Sequence, residues 1–273
     1  MPPMQAAPAS RTSAAEAVSA FVSQSLVVAE AEIRKLRHDP YELLTRAVQP
    51  ALWLLIFGQV MGNVRGIATG GLTYQEFLVP GVLAQSSLFV AIFYGISAIW
   101  ERDLGVLVKF IASPASRGAL VIGKALGAGV RALSQGLVVF ALALLLGVHV
   151  KTDPLTIAGL VAAILMGAAV FCTLSLIVAC WVKTRERFMG IGQILTMPLF
   201  FASNAIYPTD LMPAWLRALA SANPLTYQVD AMRTLMLAGS HSVFGLPLDF
   251  AFLAAALIVL VAIAARLYPT ILY

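Results

Sequence analysis

The sequence predicts an all-α membrane protein with six transmembrane helices. Of its 273 residues, 60% are hydrophobic and 11% are charged, whereas a soluble domain carries about 25% charged residues. The mean hydropathy is +0.89. A helix that crosses a bilayer needs about 20 mostly apolar residues, and six stretches of this kind follow one another along the chain. Composition and length therefore indicate a polytopic protein rather than a soluble enzyme.

Two segments precede the first of these stretches. Residues 1–17 are polar and rich in Pro and Ala, which predicts a disordered cytoplasmic tail without the features of a signal peptide. Residues 18–38 alternate apolar positions with charges, which predicts a helix lying in the cytoplasmic membrane interface. A plain cytosolic helix is the alternative for this second segment. Residues 18–273 together are predicted to form one transmembrane domain.

The six spans follow from the apolar stretches and their flanking charges. They are predicted at about 47–64, 77–99, 125–148, 155–181, 188–206 and 248–267. Pro198 predicts a kink in the fifth span. Lys and Arg are concentrated before the first span, between the second and third, and between the fourth and fifth. The positive-inside rule therefore places both termini in the cytoplasm.

Two connections between spans are more than simple loops. Residues 101–117 are too polar to span the membrane and too apolar for an ordinary loop, so they are predicted at the cytoplasmic surface. In residues 207–240, Asn223 followed by Pro224 is typical of a helix start, and a short amphipathic stretch precedes it. This predicts an extracellular helical hairpin. Asp230 and Arg233 are three residues apart and are expected to pair at its partly wet surface.

The chain lacks the patterns of a catalytic or metal centre. Residues 118–125, GALVIGKA, have the outline of a phosphate-binding P-loop, but Ala125 stands where a Mg²⁺-binding Ser or Thr is required. The three histidines are far apart in sequence. Cys172 and Cys180 would be about 12 Å apart on one helix, too far for a disulfide bond. No basic run with interleaved aromatics suggests nucleic-acid binding. Any energy source is therefore expected on a partner protein.

Two segments resemble those of ABC-2 type permeases, the membrane subunits of daunorubicin-resistance-like exporters. Residues 101–133 begin at Glu101, contain Gly105 and Ser113-Pro114-x-Ser116-Arg117, and continue to Gly123-Lys124, as in the family's segment after the second span. Residues 223–233 resemble its Asn-Pro-x-Thr-Tyr…Asp-x-x-Arg stretch before the last span. The six-span layout behind an amphipathic helix is also similar.

The resemblance implies a function for the whole chain. It implies a permease subunit of an ATP-driven ABC exporter that moves amphipathic drugs, lipids or glycolipids out of the cytoplasm or inner leaflet by alternating access. The chain itself would be neither an enzyme nor a cofactor protein, since ATP and Mg²⁺ would be bound by two separate ABC ATPase subunits. A second permease, identical or similar, would complete the transporter in the bacterial cytoplasmic membrane, among membrane lipids.

The resemblance also implies roles for particular residues. Coupling to the ATPase would involve Glu101, Arg102, Asp103, Leu104, Gly105, Leu107 and Lys109. An extracellular gate would involve Asn223, Pro224, Tyr227, Asp230 and Arg233. The substrate path would be lined by Trp53, Phe57, Gln85, Phe89, Phe93, Met197, Phe200, Phe201 and Asn204. Lys124 and Arg131 can reach toward lipid phosphates, and whether they contact lipid or protein stays open at this level. Each of these roles has a purely structural alternative. The alternatives are charges that only fix the topology, a simple helix start at Asn223, and aromatic residues that face lipid or pack in the ordinary way.

Two other functions stay open at this level. A permease for cell-envelope polysaccharide or lipid-linked polymer would share the same spans, and a membrane scaffold without transport would need no coupling segment. The pattern at residues 101–117 favours transport, because a scaffold does not need it.

Overall fold

The computed structural model describes residues 48–64, 71–105, 117–182 and 184–267, together with Ser23, Thr45 and Thr69. These residues are almost entirely helical, and their single strand-like contact is an isolated bridge between Val150 and Leu237. The predicted tail at 1–17, the predicted interfacial helix at 18–38 except Ser23, and the coupling candidates Leu107 and Lys109 lie outside the described residues.

The helices are numbered here in chain order. They are α1 (Val48–Gly62), α2 (Tyr74–Tyr94), α3 (Ile96–Asp103), α4 (Arg117–Leu145), α5 (Pro154–Trp181), α6 (Arg185–Phe201), α7 (Ala214–Ala222), α8 (Pro224–Met236) and α9 (Leu246–Leu267). A short 3₁₀ turn, Thr209–Leu211, precedes α7. Within α1, residues Trp53–Phe57 form a π-helical turn.

Four helical segments are long and apolar enough to cross a membrane. They are α4, α5, α9 and the run Tyr74–Asp103, in which α3 continues α2. The apolar helix α1 is shorter, and α6 has 17 residues, against about 20 for a full crossing. The predicted all-α membrane fold is confirmed, while the count of six spans stays a prediction.

Local capping moves several boundaries away from the predicted ones. The hydroxyl of Thr73 accepts from the Glu76 backbone and the Glu76 side chain bonds back to Thr73, so α2 begins before the predicted residue 77. The helical run then extends to Asp103, so residues 101–103 of the predicted cytoplasmic coupling helix continue the second span directly. Helix α4 begins at Arg117, so residues 118–125 are helical and cannot wrap a phosphate as a P-loop does.

The fifth predicted span lies too far toward the C terminus. Thr184 caps α6 by accepting a hydrogen bond from the Arg187 backbone, so the helix starts at Arg185 and not at 188. It ends at Phe201, three residues after Pro198, and residues 202–206 lie outside it.

Helix α5 lies at the centre of the bundle, packed against α2, α4, α8 and α9. Gly81 and Gly95 lie where neighbouring segments approach α2 most closely. A Cβ atom at Gly81 would lie 2.1 Å from the carbonyl oxygen of Ala205, and one at Gly95 would lie 1.9 Å from the Ser175 hydroxyl. Any larger residue at these positions would push the elements apart.

The predicted surface hairpin is only partly at the surface. Helix α7 is largely exposed, but α8 is buried between α2, α5 and α9. Three polar residues of α8, Gln228, Asp230 and Arg233, find hydrogen-bond partners inside the protein. Helix α8 is therefore part of the bundle core, while α7 lies at its surface.

Candidate functional site

The predicted coupling segment is the end of a helix that turns sharply at Gly105. The backbone N–H of Leu104 donates to the Trp100 carbonyl at 3.0 Å, and that of Gly105 donates to the Arg102 carbonyl at 2.9 Å. Gly105 has φ +69°, a left-handed conformation that favours glycine. The turn leaves the side chain of Leu104 70% exposed. An apolar side chain is thus presented at the tip of α3.

An ion pair joins this tip to the start of α4. The Nζ atom of Lys124 lies 2.7 Å from Oε1 of Glu101 and 3.4 Å from the Ser97 hydroxyl. The side chain of Lys124 is 10% exposed and that of Glu101 is 27% exposed. Of the two alternatives left open for Lys124, lipid or protein, the structure shows protein, because the ammonium group is held by a carboxylate of its own chain.

A second ion pair joins the same tip to the start of α6. The guanidinium of Arg185 lies 3.0 Å from Oδ2 of Asp103 and 4.1 Å above the ring centre of Trp100. Arg102 also pairs with Asp103, at 3.0 Å. Asp103 and Arg102, two of the predicted coupling residues, thus have ion-pair partners within the chain and are still partly exposed.

These contacts connect three helices at one end of the bundle. The sequence identified Glu101 and Asp103, but it used Arg185 only as a topology signal and missed Trp100. The available signal was the presence of acids at the end of one predicted span and bases at the start of two others.

At the predicted gate, Asn223 connects the end of α6 to the start of α8. Its side-chain oxygen accepts from the Leu225 backbone at 3.0 Å, which confirms the predicted helix start at Asn223-Pro224. Its amide nitrogen donates to the carbonyls of Leu199 and Ala202, at 2.7 and 2.8 Å. One side chain thus satisfies backbone groups of two helices.

Tyr227 fixes α8 against α7 and α9. Its hydroxyl donates to the Ser221 carbonyl at 2.7 Å. Its ring stacks on Phe252 with centres 3.9 Å apart and also contacts Phe244. The residue is mostly buried, so in this conformation it packs the hairpin rather than facing a channel.

The expected Asp230–Arg233 pair does not form a contact within the described residues. Oδ2 of Asp230 accepts from the Ser242 hydroxyl and from the backbone of Val243 and Phe244, at 2.7, 2.8 and 3.2 Å. Both residues are buried, with 1% and 7% exposure. A partly wet surface was therefore the wrong setting for them, because the loop before α9 folds over Asp230.

Arg233 points in another direction, toward α2. It donates to the carbonyls of Phe77 and Asn204, at 3.3 and 2.8 Å, and lies 3.8 Å from the ring centre of Phe77. Burial lowers the pKa of Arg233 to about 10, and the charge of Asp230 opposes this shift. The guanidinium therefore stays charged at neutral pH.

Ser242 joins Asp230 to the last span. Its hydroxyl oxygen lies 2.7 Å from Asp230 Oδ2 and 3.0 Å from Asp249 Oδ2, and it accepts from the Gly245 backbone. Asp249 lies in the first turn of α9 and is fully buried. The sequence missed Ser242, because nothing in its surroundings marks it as a bridge.

The proposed substrate-path residues fall into separate groups. Trp53, Phe57 and Phe200 form one aromatic cluster, with ring centres 4.8 and 5.5 Å from Trp53, and Phe201 extends it. Phe89 and Phe93 stack on each other at 6.0 Å elsewhere on α2. The remaining members are Gln85 and Asn204, both buried, and Met197, half-buried on α6. The structure does not bring the set together within one chain.

A cavity of about 560 Å³ lies beside the second of these groups. Phe89, Phe93 and Glu101 line it, together with Arg131 and Gln135 of α4. Among the residues that the structure describes, no group of three or more His, Cys, Asp or Glu could hold a metal ion. Cys172 and Cys180 are both free thiols.

Comparison with known proteins agrees with this architecture. The sequence profile of the ABC-2 type transporter family matches residues 23–237. The chain is 26% identical over 224 residues to a putative transport permease, ycf38, of Cyanophora paradoxa, covering 81% of this chain and 76% of that protein. It is 28% identical to a daunorubicin resistance ABC transporter permease, DrrB1, of Streptomyces coeruleorubidus, covering 73% and 70%.

A third relative comes from a different biological setting. The chain is 26% identical to nodulation protein J of Rhizobium leguminosarum bv. trifolii, over 71% of this chain and 74% of that protein. The region that matches the family profile, residues 23–237, includes the helices that carry the two ion pairs and the Asn223 connection.

Proposed function

This chain belongs to the ABC-2 type transporter family, and from that premise we propose that it is the membrane subunit of an ATP-driven exporter of small amphipathic molecules. The chain is a multi-pass membrane permease of an ABC transporter, and permeases of this family work with ABC ATPase subunits. In the proposal, two separate ATPase subunits bind ATP and Mg²⁺, and a second permease, identical or similar, completes the complex. Both termini lie in the cytoplasm of a bacterial cell.

The observation that carries the proposal is the junction at the tip of α3. Glu101 and Asp103 connect this tip to α4 and α6 through Lys124 and Arg185. Leu104, exposed at the turn, offers an apolar surface for a partner. Movement of an ATPase against the turn is then passed to three helices at once, which is what coupling of ATP binding to the membrane helices requires.

The proposal gives the α7–α8 hairpin the second task of the transport cycle, which is to open the extracellular side of the permease. Asn223 bonds to the end of α6 and Arg233 bonds to α2. A displacement of α6 that begins at its Arg185 end, where α6 is tied to the tip of α3, therefore moves the hairpin as well. This gives a physical route for alternating access, in which the two ends of the bundle respond to one another.

The nature of the cargo is supported by the relatives and by the cavity. One relative is named for resistance to daunorubicin, and another for nodulation. A cavity of about 560 Å³ is in the range of sites for small molecules. This size favours a compact amphipathic cargo over a long polysaccharide.

The test is a comparison of two arginines in the first turn of α6. The complete transporter is purified with its ATPase, reconstituted into vesicles, and assayed for ATP hydrolysis and for export. Arg185→Gln removes the contacts to Asp103 and Trp100, and we expect export per ATP hydrolysed to fall severalfold. Arg187→Gln removes an equal charge from the exposed side of the same turn and should leave that ratio unchanged.

Two outcomes would contradict the proposal. If neither substitution alters the ratio of export to hydrolysis, the junction does not carry coupling. If the chain neither stimulates nor binds an ATPase under conditions in which it is folded, a non-transporting membrane scaffold becomes the better account.

A further inference from the structure

The contacts of Ser242 require one more hydrogen atom than its hydroxyl group can supply. The hydroxyl oxygen lies 2.7 Å from Oδ2 of Asp230 on α8 and 3.0 Å from Oδ2 of Asp249 on α9, and both are hydrogen-bond distances. A hydroxyl group donates one hydrogen bond and accepts two. If both acids are ionised, one of the two carboxylates faces the hydroxyl oxygen without a hydrogen between them. One additional proton in this group removes the conflict.

The neighbouring donors place this proton on Asp249. Oδ2 of Asp230 already accepts from two backbone N–H groups of the loop before α9, at 2.8 and 3.2 Å, so it has no free position for a proton. Asp249 bonds only to Ser242, and its Oδ1 is buried without a donor among the residues that the structure describes. With the proton on Oδ2, Asp249 donates to Ser242 and Ser242 donates to Asp230. The hydroxyl oxygen also accepts from the Gly245 backbone at 2.6 Å, which completes its bonding capacity.

The distribution of charge favours the same assignment. Both acids are almost completely buried, and a buried charge is unfavourable unless it is paired. Arg233 supplies one positive charge, and Asp230 is the acid that acts on it. Asp249 has no ion-pair partner within the described part of the chain. Its place in the first turn of α9 favours a negative charge, but this effect is weak beside the cost of burying an unpaired carboxylate.

The other titratable groups at this end of the bundle bond elsewhere. Those on the helices and connections around α8 and α9 each have a partner other than the two acids, and they are Tyr74, Glu76, Lys151, Asp153, Tyr227 and Arg233. His241 precedes Ser242 in the loop and is exposed. Because histidine titrates near neutral pH, His241 is the group whose contribution has to be separated from that of Asp249.

We propose that Asp230, Ser242 and Asp249 form a proton-binding site, in which a proton on Asp249 completes a chain of hydrogen bonds from α9 through the loop of residues 238–245 to α8. When this proton leaves to solvent, two carboxylates compete for one hydroxyl hydrogen. Ser242 then bonds to only one of them, and the loop no longer ties α8 to α9. The site goes beyond the proposed function and does not depend on export. Only its control by the pH outside the cell rests on the topology of that proposal.

Infrared spectroscopy detects the proton directly. A protonated carboxylic acid has a C=O stretching band that a carboxylate lacks, and exposed Asp and Glu side chains are ionised at neutral pH. The full chain is measured at neutral pH in dodecyl maltoside micelles, which contain no carbonyl group. The spectrum of the wild type minus that of Asp249→Asn should contain the acid band. The corresponding difference for Asp153→Asn, which replaces an exposed acid, should lack it. A difference spectrum for Asp249→Asn without the band would overturn the proposal.

Hydrogen exchange measures the consequence for the loop. The protection factor of the loop peptide is followed at several pH values by mass spectrometry, with a peptide from α5 as the internal reference. In the wild type, loop protection should fall severalfold relative to the reference as the pH rises above neutral.

Two variants identify the group that is responsible. Asp249→Asn replaces the acid O–H by an amide N–H and should keep the loop protected at every pH, whereas His241→Gln should behave like the wild type. Protection that does not depend on pH in the wild type, or a pH dependence that disappears in His241→Gln, would overturn the proposal. If Asp249→Asn does not fold, this comparison of the wild type with His241→Gln still decides. Neither measurement uses an ATPase or a cargo, so a failure of the exporter function would leave both results unchanged.

Discussion

Replacing Lys124 by Met removes the cation that holds Glu101 and ties α3 to α4. The two charged atoms are 2.7 Å apart, with side chains 10% and 27% exposed. Two unit charges 4 Å apart attract by about 4 kcal/mol at an effective dielectric constant of about 20. Desolvation offsets part of this attraction, because both groups have left water. The net interaction is expected to be about 1–3 kcal/mol, the range for hydrogen bonds to charged groups.

The interaction is measured by a double-mutant cycle. Wild type, Glu101→Gln, Lys124→Met and the double variant are unfolded by SDS titration, followed by far-UV circular dichroism. The ion pair between Asp103 and Arg185 serves as the control for this measurement in the same protein. Asp103 and Arg185 are 36% and 37% exposed, so their cycle should give only about 0–1 kcal/mol.

The comparison of the two cycles decides whether burial sets the strength of these contacts. An interaction energy below about 0.5 kcal/mol for Glu101–Lys124, or one no larger than that of Asp103–Arg185, would refute the reasoning. The junction would then be held mainly by backbone packing, and its ion pairs would only set topology.

Three other substitutions test the same structure by the same unfolding measurement. Asn223→Ala loses a helix cap and two donors and should destabilise by about 2–3 kcal/mol, and Asn223→Asp, which keeps the capping oxygen but turns a carboxylate oxygen toward two carbonyls, should cost at least as much. Gly95→Ala places a Cβ atom 2.8 Å from that of Ser175 and should cost about 1–3 kcal/mol, with recovery in the double variant that carries Ser175→Gly. Ser242→Ala leaves two buried carboxylates without their shared hydroxyl and should cost about 2–3 kcal/mol, whereas Ser242→Thr restores it. Wild-type stability in any of the three would show that the corresponding contact is unimportant.

The long spans could be predicted because their signal is local. Apolar composition over about 20 residues identifies α5 and α9 without any knowledge of their neighbours. Helix ends were less accurate, since a cap such as Thr73 or Thr184 extends a helix beyond its apolar part. The family resemblance added the correct function class from two short patterns.

The partners of charged and polar side chains could not be predicted in the same way. Lys124 and Arg185 follow the positive-inside rule, but that rule is blind to the acids they meet 23 and 82 residues away in sequence. Asp230 and Arg233 are neighbours on one helix, yet each bonds to a different segment that folds against α8. Spacing along a helix gives the face of a residue, whereas the contacts on that face depend on tertiary packing.

The most direct test of the exporter account is the composition of the native complex. The tagged chain is purified from its own membranes under mild conditions, and the mass of the intact assembly is measured together with its ATP hydrolysis. The account predicts two permease chains with two ATPase chains, hydrolysis of ATP, and loss of the ATPase when Gly105→Pro disrupts the turn at the tip of α3. A folded assembly without any nucleotide-binding chain, or one whose ATPase is retained in full by Gly105→Pro, would contradict it.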